Sequence, residues 1–261
     1  MSNPIRLAVL GDPVRHSRSP AIHNAAMRHL GIEGRYEAIR AGEAELAEAV
    51  ADLRSGALQG INVTMPLKGA AARLADFLTD EAARSGSVNT LRSRDNRVEG
   101  HSTDVVAARL AVADQRFQAS APILILGSGG AAAAVLIGVA GRAVYLSARK
   151  PERAAALAER VGVDVGPVRF GAGVAGALVV NATPIGMRGE TLSEDIVGPA
   201  SGLIDLAYGD TPTPSVRRAL DTGLAVMDGV EFLVLQAAAS FQWWTGVPAP
   251  TEVMFDAARK T

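Results

Sequence analysis

Cysteine is absent from this 261-residue chain, which excludes disulfides, thiolate zinc sites, iron–sulfur clusters and thiol nucleophiles and fits a reducing compartment, so the cytoplasm is the expected location. An excess of one charge is also missing. The 26 Lys and Arg residues stand against 27 Asp and Glu, a net charge of -1 with the histidines neutral. No overall basic field exists to hold a polyanion, and nucleic acid is not expected as a partner. Long apolar runs are lacking as well. The uncharged stretch 119–141 is broken by Pro122 and by Gly127, Gly129 and Gly130, and reads as strand, turn and buried helix rather than a membrane span. Residues 1–15 hold only the short run Leu7 to Leu10 near Arg6, too brief for the core of a signal peptide. What is present, 48% hydrophobic and 20% charged residues, is the composition of a soluble chain able to bury a core, and its length suits two modest domains.

Apolar runs and helical patterns alternate. Residues 5–10 stop at Gly11-Asp12-Pro13 and read as a buried strand entering a turn. A helix follows, with Ser19 as its N-cap, Pro20 at the first helical position and Gly31 past its end. Leu46, Val50 and Leu53 give 43–54 helical spacing, and 58–63 is a short strand that leads through Pro66 into a helix over 68–78. The helical pattern returns at 104–113, and 122–126 is a buried strand ending in a glycine cluster. Further strands and helices are expected at 143–146, 154–160, 178–181 and 203–206. This order predicts an α/β fold with mainly parallel sheets, crossover helices and ligand groups beyond the carboxyl ends of the strands.

Gly127-x-Gly129-x-x-Ala132 matches the dinucleotide fingerprint with alanine in the third position. Its glycines allow a tight turn, and the backbone of Gly127, Ser128, Gly129, Gly130 and Ala131 can then approach a pyrophosphate at a helix N-terminus. Close packing of helix on strand is the structural alternative. About 20 residues on, where an acid would accept from the ribose 2′-hydroxyl of NAD, the chain reads Ala148-Arg149-Lys150, with Arg153 one turn later. Guanidinium groups suit a 2′-phosphate, so NADP is expected over NAD; a solvated basic helix start is the competing reading. His16, His23, His29 and His101 show no metal-ligand spacing, so no metal is expected. Trp243 and Trp244 lie in an apolar helical segment and read as packing residues.

Three polar stretches occupy strand-to-loop positions in the first half: His16-Ser17-Arg18-Ser19-Pro20-Ala21-Ile22-His23-Asn24, Asn62-Val63-Thr64-Met65-Pro66-Leu67-Lys68, and Ser87-Val88-Asn89-Thr90. With Gly100-His101-Ser102-Thr103-Asp104, the run 181–187, 205–208 with Thr213-Pro214, and Gln236-Ala237-Ala238 with Phe241, Trp244, Thr245 and Gly246, they follow one another in the order seen in the shikimate dehydrogenase family. The chain resembles that family from residue 5 to about 246.

The resemblance implies an NADP-linked, reversible reduction of 3-dehydroshikimate to shikimate, a step toward chorismate and the aromatic amino acids. It implies a substrate-binding domain at 1–103 completed by helices at 231–261, a Rossmann-like NADP-binding domain at 104–230, and a cleft between them. Lys68 and Asp104 are then the catalytic pair, since hydride delivery to a ketone needs a cation or proton donor at the developing oxyanion and a carboxylate to hold it. Ser17 and Ser19, with Tyr208, answer to the substrate carboxylate; Asn62, Thr64, Asn89 and Gln236 answer to the ring hydroxyls. Asn181, Thr183, Met187 and Gly229 correspond to the nicotinamide side. The chain departs from the family pattern at Ser102 and Val105, where asparagine and glycine are usual, at Glu231 and Phe232, where the family tends to have glycine and methionine, and at Ala148, usually asparagine. A quinate/shikimate-type dehydrogenase, or a paralogue acting on a related cyclic polyhydroxy acid, is one alternative, and a non-catalytic shikimate sensor is the second. The basic region 149–153 speaks against the first, and retention of both Lys68 and Asp104 against the second. A monomer or homodimer is expected.

Overall fold

The structure, a computed structural model, describes residues 4–139 and 141–260; the outermost residues of the expected domains, 1–3 and 261, lie outside it. The chain forms two compact units, Met1–Thr103 with Val234–Thr261, and Asp104–Leu233. In chain order the elements are β1 (Ile5–Gly11), α1 (Ser19–His29), β2 (Gly34–Arg40), α2 (Glu43–Ser55), β3 (Gly60–Val63), α3 (Lys68–Leu74), β4 (Phe77–Leu78), α4 (Asp80–Ser85), β5 (Thr90–Arg94), β6 (Arg97–His101), α5 (Thr103–Val112), β7 (Ile123–Leu126), α6 (Gly130–Gly138), β8 (Val144–Ser147), α7 (Pro151–Val161), β9 (Leu178–Asn181), α8 (Glu194–Val197), β10 (Gly202–Asp205), α9 (Pro214–Asp221), β11 (Ala225–Met227), α10 (Gly229–Thr245) and α11 (Thr251–Arg259). Among the described residues no helix is long and apolar enough to cross a membrane.

The first unit is built on a six-stranded mixed sheet, ordered β2-β1-β3-β5-β6-β4. β1 pairs parallel with β2 and β3, whereas β5 runs antiparallel to both β3 and β6. The β5–β6 hairpin turns on Asp95 and Asn96, both with positive φ (51° and 59°), the conformation of a two-residue turn whose twist matches the flanking strands. Leu46, Val50 and Leu53 of α2 pack with Ile61, Leu91 and Val98 in one buried core. α11 returns to α1, where the Arg18 guanidinium donates to the Ala258 carbonyl at 2.9 Å.

Two local expectations are corrected. Arg18, not Ser19, is the N-cap of α1: it already has helical angles, so Ser19 is the first helical residue, and its N–H donates to Ser17 Oγ at 3.3 Å. The helix beginning at Lys68 ends at Leu74 rather than at 78. There the sheet recruits the chain: Asp76 N–H donates to Val98 O, its carboxylate accepts from Val98 N–H, both at 2.8 Å, and Phe77 and Leu78 then pair with β6. Helical spacing of apolar residues cannot register this competition from a sheet edge.

The second unit carries a five-stranded, wholly parallel sheet, ordered β11-β10-β9-β7-β8. A single parallel bridge from Tyr145 to Gly166 continues it beyond β8. Crossovers leave β7 toward β8 on one side and return to β9 on the other. The carboxyl ends of β7 and β9 therefore flank a topological switch point, where open α/β sheets receive ligands. α6 is buried along its length from Ala132 to Ile137, so only its amino end is open to a ligand.

Candidate functional site

In the first unit the polar residues gather at the carboxyl ends of β1 and β3, at the start of β5 and on α10. Ser17 is half-buried and Ser19 buried at the start of α1. Thr64 follows β3, its N–H donating to the Leu10 carbonyl at 2.9 Å, and after a cis Met65–Pro66 bond the chain enters α3 with Lys68 half-buried at its first position. The Lys68 carbonyl accepts from Val88 N–H at 3.2 Å, tying the head of α3 to the segment that carries Asn89.

Asn62 and Asn89 are buried and heavily engaged. Asn62 Oδ1 accepts from the Tyr36 hydroxyl at 2.7 Å, and Asn62 Nδ2 donates to the Asn89 carbonyl at 3.0 Å. Asn89 Nδ2 donates to Thr103 Oγ1 at 2.9 Å and to Gln236 Oε1 at 3.3 Å, while Asn89 Oδ1 accepts the Thr103 N–H at 2.8 Å. Asp104, in the first turn of α5, is only 8% exposed. Behind Asn62, His23 stacks on Tyr36 with ring centroids 4.3 Å apart and lies 5.4 Å from the Trp244 ring. Neither of its ring nitrogens has a hydrogen-bond partner among the described residues, and burial lowers its pKa to about 3. Trp244 donates from Nε1 to the Leu91 carbonyl at 3.0 Å, and Trp243 lies under the Arg92 guanidinium, 4.1 Å from its ring centroid.

In the second unit, Gly127 has φ of +121°, and a Cβ there would sit 2.9 Å from the Ala182 carbonyl oxygen. The protein itself demands this glycine. Gly129, the N-cap of α6, differs: its angles are extended and a Cβ would meet nothing within 4 Å. Packing gives no reason for it, whereas a pyrophosphate laid on the α6 amino end does. Ser128 and Ala131 are half-buried and Gly130 exposed around that end. Past β8, the side chains of Arg149, Lys150 and Arg153 are exposed and make no ion pair among the described residues. These residues fit a dinucleotide carrying a 2′-phosphate.

At the end of β9, Asn181 holds the next turn. Its Nδ2 donates to Asp205 at 2.8 Å and to the Ile185 carbonyl at 2.9 Å, and its Oδ1 accepts from the Thr183 hydroxyl at 2.6 Å. Beyond that turn Met187 is 55% exposed. Asp205 is buried and also accepts from the Thr213 hydroxyl at 2.6 Å; burial raises its pKa against the hydrogen bonds that lower it. Tyr208 follows β10, half-buried. A Cβ on Gly229 would collide with Ala207 and come within 3.0 Å of the Leu206 carbonyl oxygen, so that glycine sustains a close approach of α10 to the β10 end.

Two departures from the family pattern find a structural explanation here. Glu231 accepts from Asp228 N–H at 3.1 Å while Asp228 accepts from Glu231 N–H at 2.9 Å, a reciprocal cap at the start of α10. The same carboxylate pairs with Arg116 at 3.0 Å. Phe232 is buried. Ser102 is fully buried with its hydroxyl unpartnered among the described residues, and nothing in the structure explains that substitution. Among the described residues no group of three His, Asp or Glu side chains could hold a metal ion. Tyr36 and Ser240, which complete the surroundings of Asn62, were not among the expected site residues. Tyr36 lies 26 residues from Asn62 in an otherwise unremarked segment, and Ser240 lies 178 residues from it, inside the quoted 236–246 segment but not itself singled out.

Comparison with known proteins assigns the family. Residues 9–91 match the family described as shikimate dehydrogenase substrate binding domain, and residues 229–259 match the shikimate 5′-dehydrogenase C-terminal domain. An NADP(+) shikimate dehydrogenase of Thermus thermophilus is 36% identical, with 98% of each chain covered, and that of an Anaeromyxobacter species is 38% identical over 94% of this chain and 92% of its own. Among solved structures, the shikimate 5-dehydrogenase of a second Thermus thermophilus strain, in complex with NADP(H) and shikimate, superposes with a TM-score of 0.87 at 36% identity, over 98% of this chain and 99% of that one. Likeness of sequence and fold over nearly the whole length places the chain in the shikimate dehydrogenase family.

Proposed function

We propose that this protein catalyses the NADP-linked, reversible reduction of 3-dehydroshikimate to shikimate, a step toward chorismate and the aromatic amino acids. The observation that carries the reading is the chain-long likeness to an enzyme crystallised with both NADP(H) and shikimate. The first unit holds the substrate and the second the dinucleotide, which when bound supplies or accepts the hydride.

Lys68 acts at the ketone oxygen. Negative charge grows there during reduction, and an ammonium within hydrogen-bond reach both stabilises it and supplies the proton. Asp104, whose carboxylate opens α5, orients that ammonium. The hydroxyls of Ser17 and Ser19, at the favourable end of the α1 dipole, receive the substrate carboxylate, and the Tyr208 phenol adds a donor. Thr64, Asn89 and Gln236 hold the ring hydroxyls. Asn62 orients these groups, since its amide and its carbonyl are already engaged by Asn89 and Tyr36. The amides of Gly127 to Ala131 receive the pyrophosphate and Arg149, Lys150 and Arg153 the 2′-phosphate. Thr183, Met187 and Gly229 border the nicotinamide, with Asn181 bracing their turn.

The test follows absorbance at 340 nm with shikimate or quinate and with NADP or NAD, alongside shikimate binding by tryptophan fluorescence. Reduction of NADP by shikimate is the expected result. A clear preference for quinate with NAD, or binding of shikimate without any reduction, rejects the proposal.

A further inference from the structure

Three hydroxyls in the first unit close a triangle: Thr90 Oγ1 lies 3.1 Å from Thr103 Oγ1, Thr103 Oγ1 is 3.0 Å from Ser240 Oγ, and Ser240 Oγ is 2.9 Å from Thr90 Oγ1. All three residues have no solvent exposure, and they come from β5, α5 and α10. Both buried amides converge on them. Asn62 Nδ2 lies 3.0 Å from Thr90 Oγ1, from Ser240 Oγ and from the Asn89 carbonyl, three acceptors sharing its two protons, and Asn89 donates to Thr103 while accepting from Thr90 at 3.3 Å.

A count of protons shows what Ser240 does. With its single proton on the Gln236 carbonyl, at 3.0 Å, it has only two lone pairs to share among Thr90, Thr103 and Asn62. It is therefore an acceptor at the hub. It meets an Asn62 amide whose NH2 already points inward, held so by the Asn89 carbonyl, which can only accept, and by the proton its Oδ1 takes from Tyr36. It also leaves Thr90 and Thr103 to share the remaining protons with Asn89. A serine bonded back to the preceding turn of its own helix is mildly unfavourable there, so helix formation gives no reason for this residue. Packing alone would be served by alanine.

We propose that Ser240 is a positioning residue of the substrate site: it orders the Asn62 and Asn89 amides and, through Thr103, the entry of the chain into α5, where Asp104 follows. The inference rests on the shikimate dehydrogenase reading above for its kinetic arm only.

Ser240→Ala takes away the oxygen around which the Asn62 amide and the two threonine hydroxyls are arranged, so these groups re-pair with Asn89 and with one another, off their present geometry, in a dry interior. The expected result is a kcat about tenfold lower, the size of effect a slight misplacement of binding groups produces, with KM for NADP within about twofold of the parent. Side-chain amide resonances of Asn62 and Asn89, in protein labelled with 15N-asparagine, are expected to shift at the same time. Unchanged kcat overturns the proposal. So do unmoved asparagine resonances, or a fall in activity that matches the loss of folded protein. If the unmodified protein fails to oxidise shikimate, the parent reading falls, and the asparagine spectrum of Ser240→Ala still decides whether Ser240 orders the amides.

Discussion

Acidification from pH 7 to pH 5 is expected to destabilise the first unit through His23. The ring is fully buried, stacked at an interplanar angle of 11° on Tyr36 and close to Trp244 and Phe241, with no hydrogen-bond partner among the described residues for either nitrogen. Burial disfavours the imidazolium and lowers the pKa from 6.5 to about 3. In the unfolded chain the ring takes up a proton below pH 6.5, whereas in the folded chain it stays neutral until about pH 3. Between those values the unfolded state binds more protons, so stability present above pH 6.5 is lost as pH falls, at about 1.4 kcal/mol per pH unit. The loss between pH 7 and pH 5 is then about 2 kcal/mol, and because pH 5 lies well above the folded value it depends almost wholly on the unfolded one. Both tryptophans of the chain, Trp243 and Trp244, sit on α10 in this unit, so their fluorescence during urea unfolding reports on the relevant transition. Carboxylates contribute equally to the parent and to His23→Leu, which isolates the histidine. The parent is expected to lose about 2 kcal/mol more than the variant over this interval; equal losses in the two proteins refute the reasoning.

Lys68→Ala is expected to lower kcat by about 10²–10³ while KM for shikimate stays within a few-fold, as for loss of a group acting on transition-state charge; steady-state kinetics in both directions check this. The double change Arg149→Ala with Arg153→Ala is expected to raise KM for NADP by about tenfold or more and to leave KM for NAD nearly unchanged, because the lost charge-assisted hydrogen bonds concern the 2′-phosphate alone. Glu231→Ala removes the cap of α10 and one of the two carboxylates paired with Arg116, the other being Asp114. A cost of about 1 kcal/mol in thermal or urea unfolding is expected, with KM for NADP little changed, since the carboxylate is held by the protein.

The alternation of β1, β3, β7, β8, β9 and β10 with helices was legible because each is a short apolar run bounded by breakers. The glycine turn after β7 was legible for the same reason that it exists: only glycine adopts its backbone angles without strain. β2 was not. Tyr36 is its one buried residue, so an edge strand exposed along most of its length carries no alternation to read. The β5–β6 hairpin hides in a similar way, with Leu91 and Val98 its fully buried apolar residues amid arginines and serine. At the site, the residue types that carry chemistry could be picked out one by one, but not their partners. The hydrogen bonds that join Asn62 to Tyr36 and to Ser240 span 26 and 178 residues, and no local spacing encodes such a meeting. The acid at position 231 stood out only as a departure from the family pattern for a related reason: neither its reciprocal partner Asp228 nor its counter-ion Arg116 can be paired with it from local spacing.

The glycine loop contains two glycines needed for different reasons, and that difference is measurable. At Gly127 a methyl group would be forced against the Ala182 carbonyl oxygen at 2.9 Å in a backbone conformation with φ of +121°, so Gly127→Ala strains the chain itself. A loss of about 1–3 kcal/mol in unfolding free energy is expected there. At Gly129 the backbone is extended and the space above it is open, so alanine costs the fold almost nothing, and a methyl group stands only in the way of whatever approaches the amino end of α6. Gly129→Ala is therefore expected to keep its unfolding midpoint within about 1 °C of the parent while KM for NADP rises by about tenfold or more, the scale on which a lost close approach at a phosphate site is felt. Isothermal titration with NADP alone separates this from any effect on the substrate. An alanine at 129 that leaves both midpoint and NADP affinity intact would mean that the pyrophosphate does not lie on this helix end, and the match to the dinucleotide fingerprint would reduce to packing.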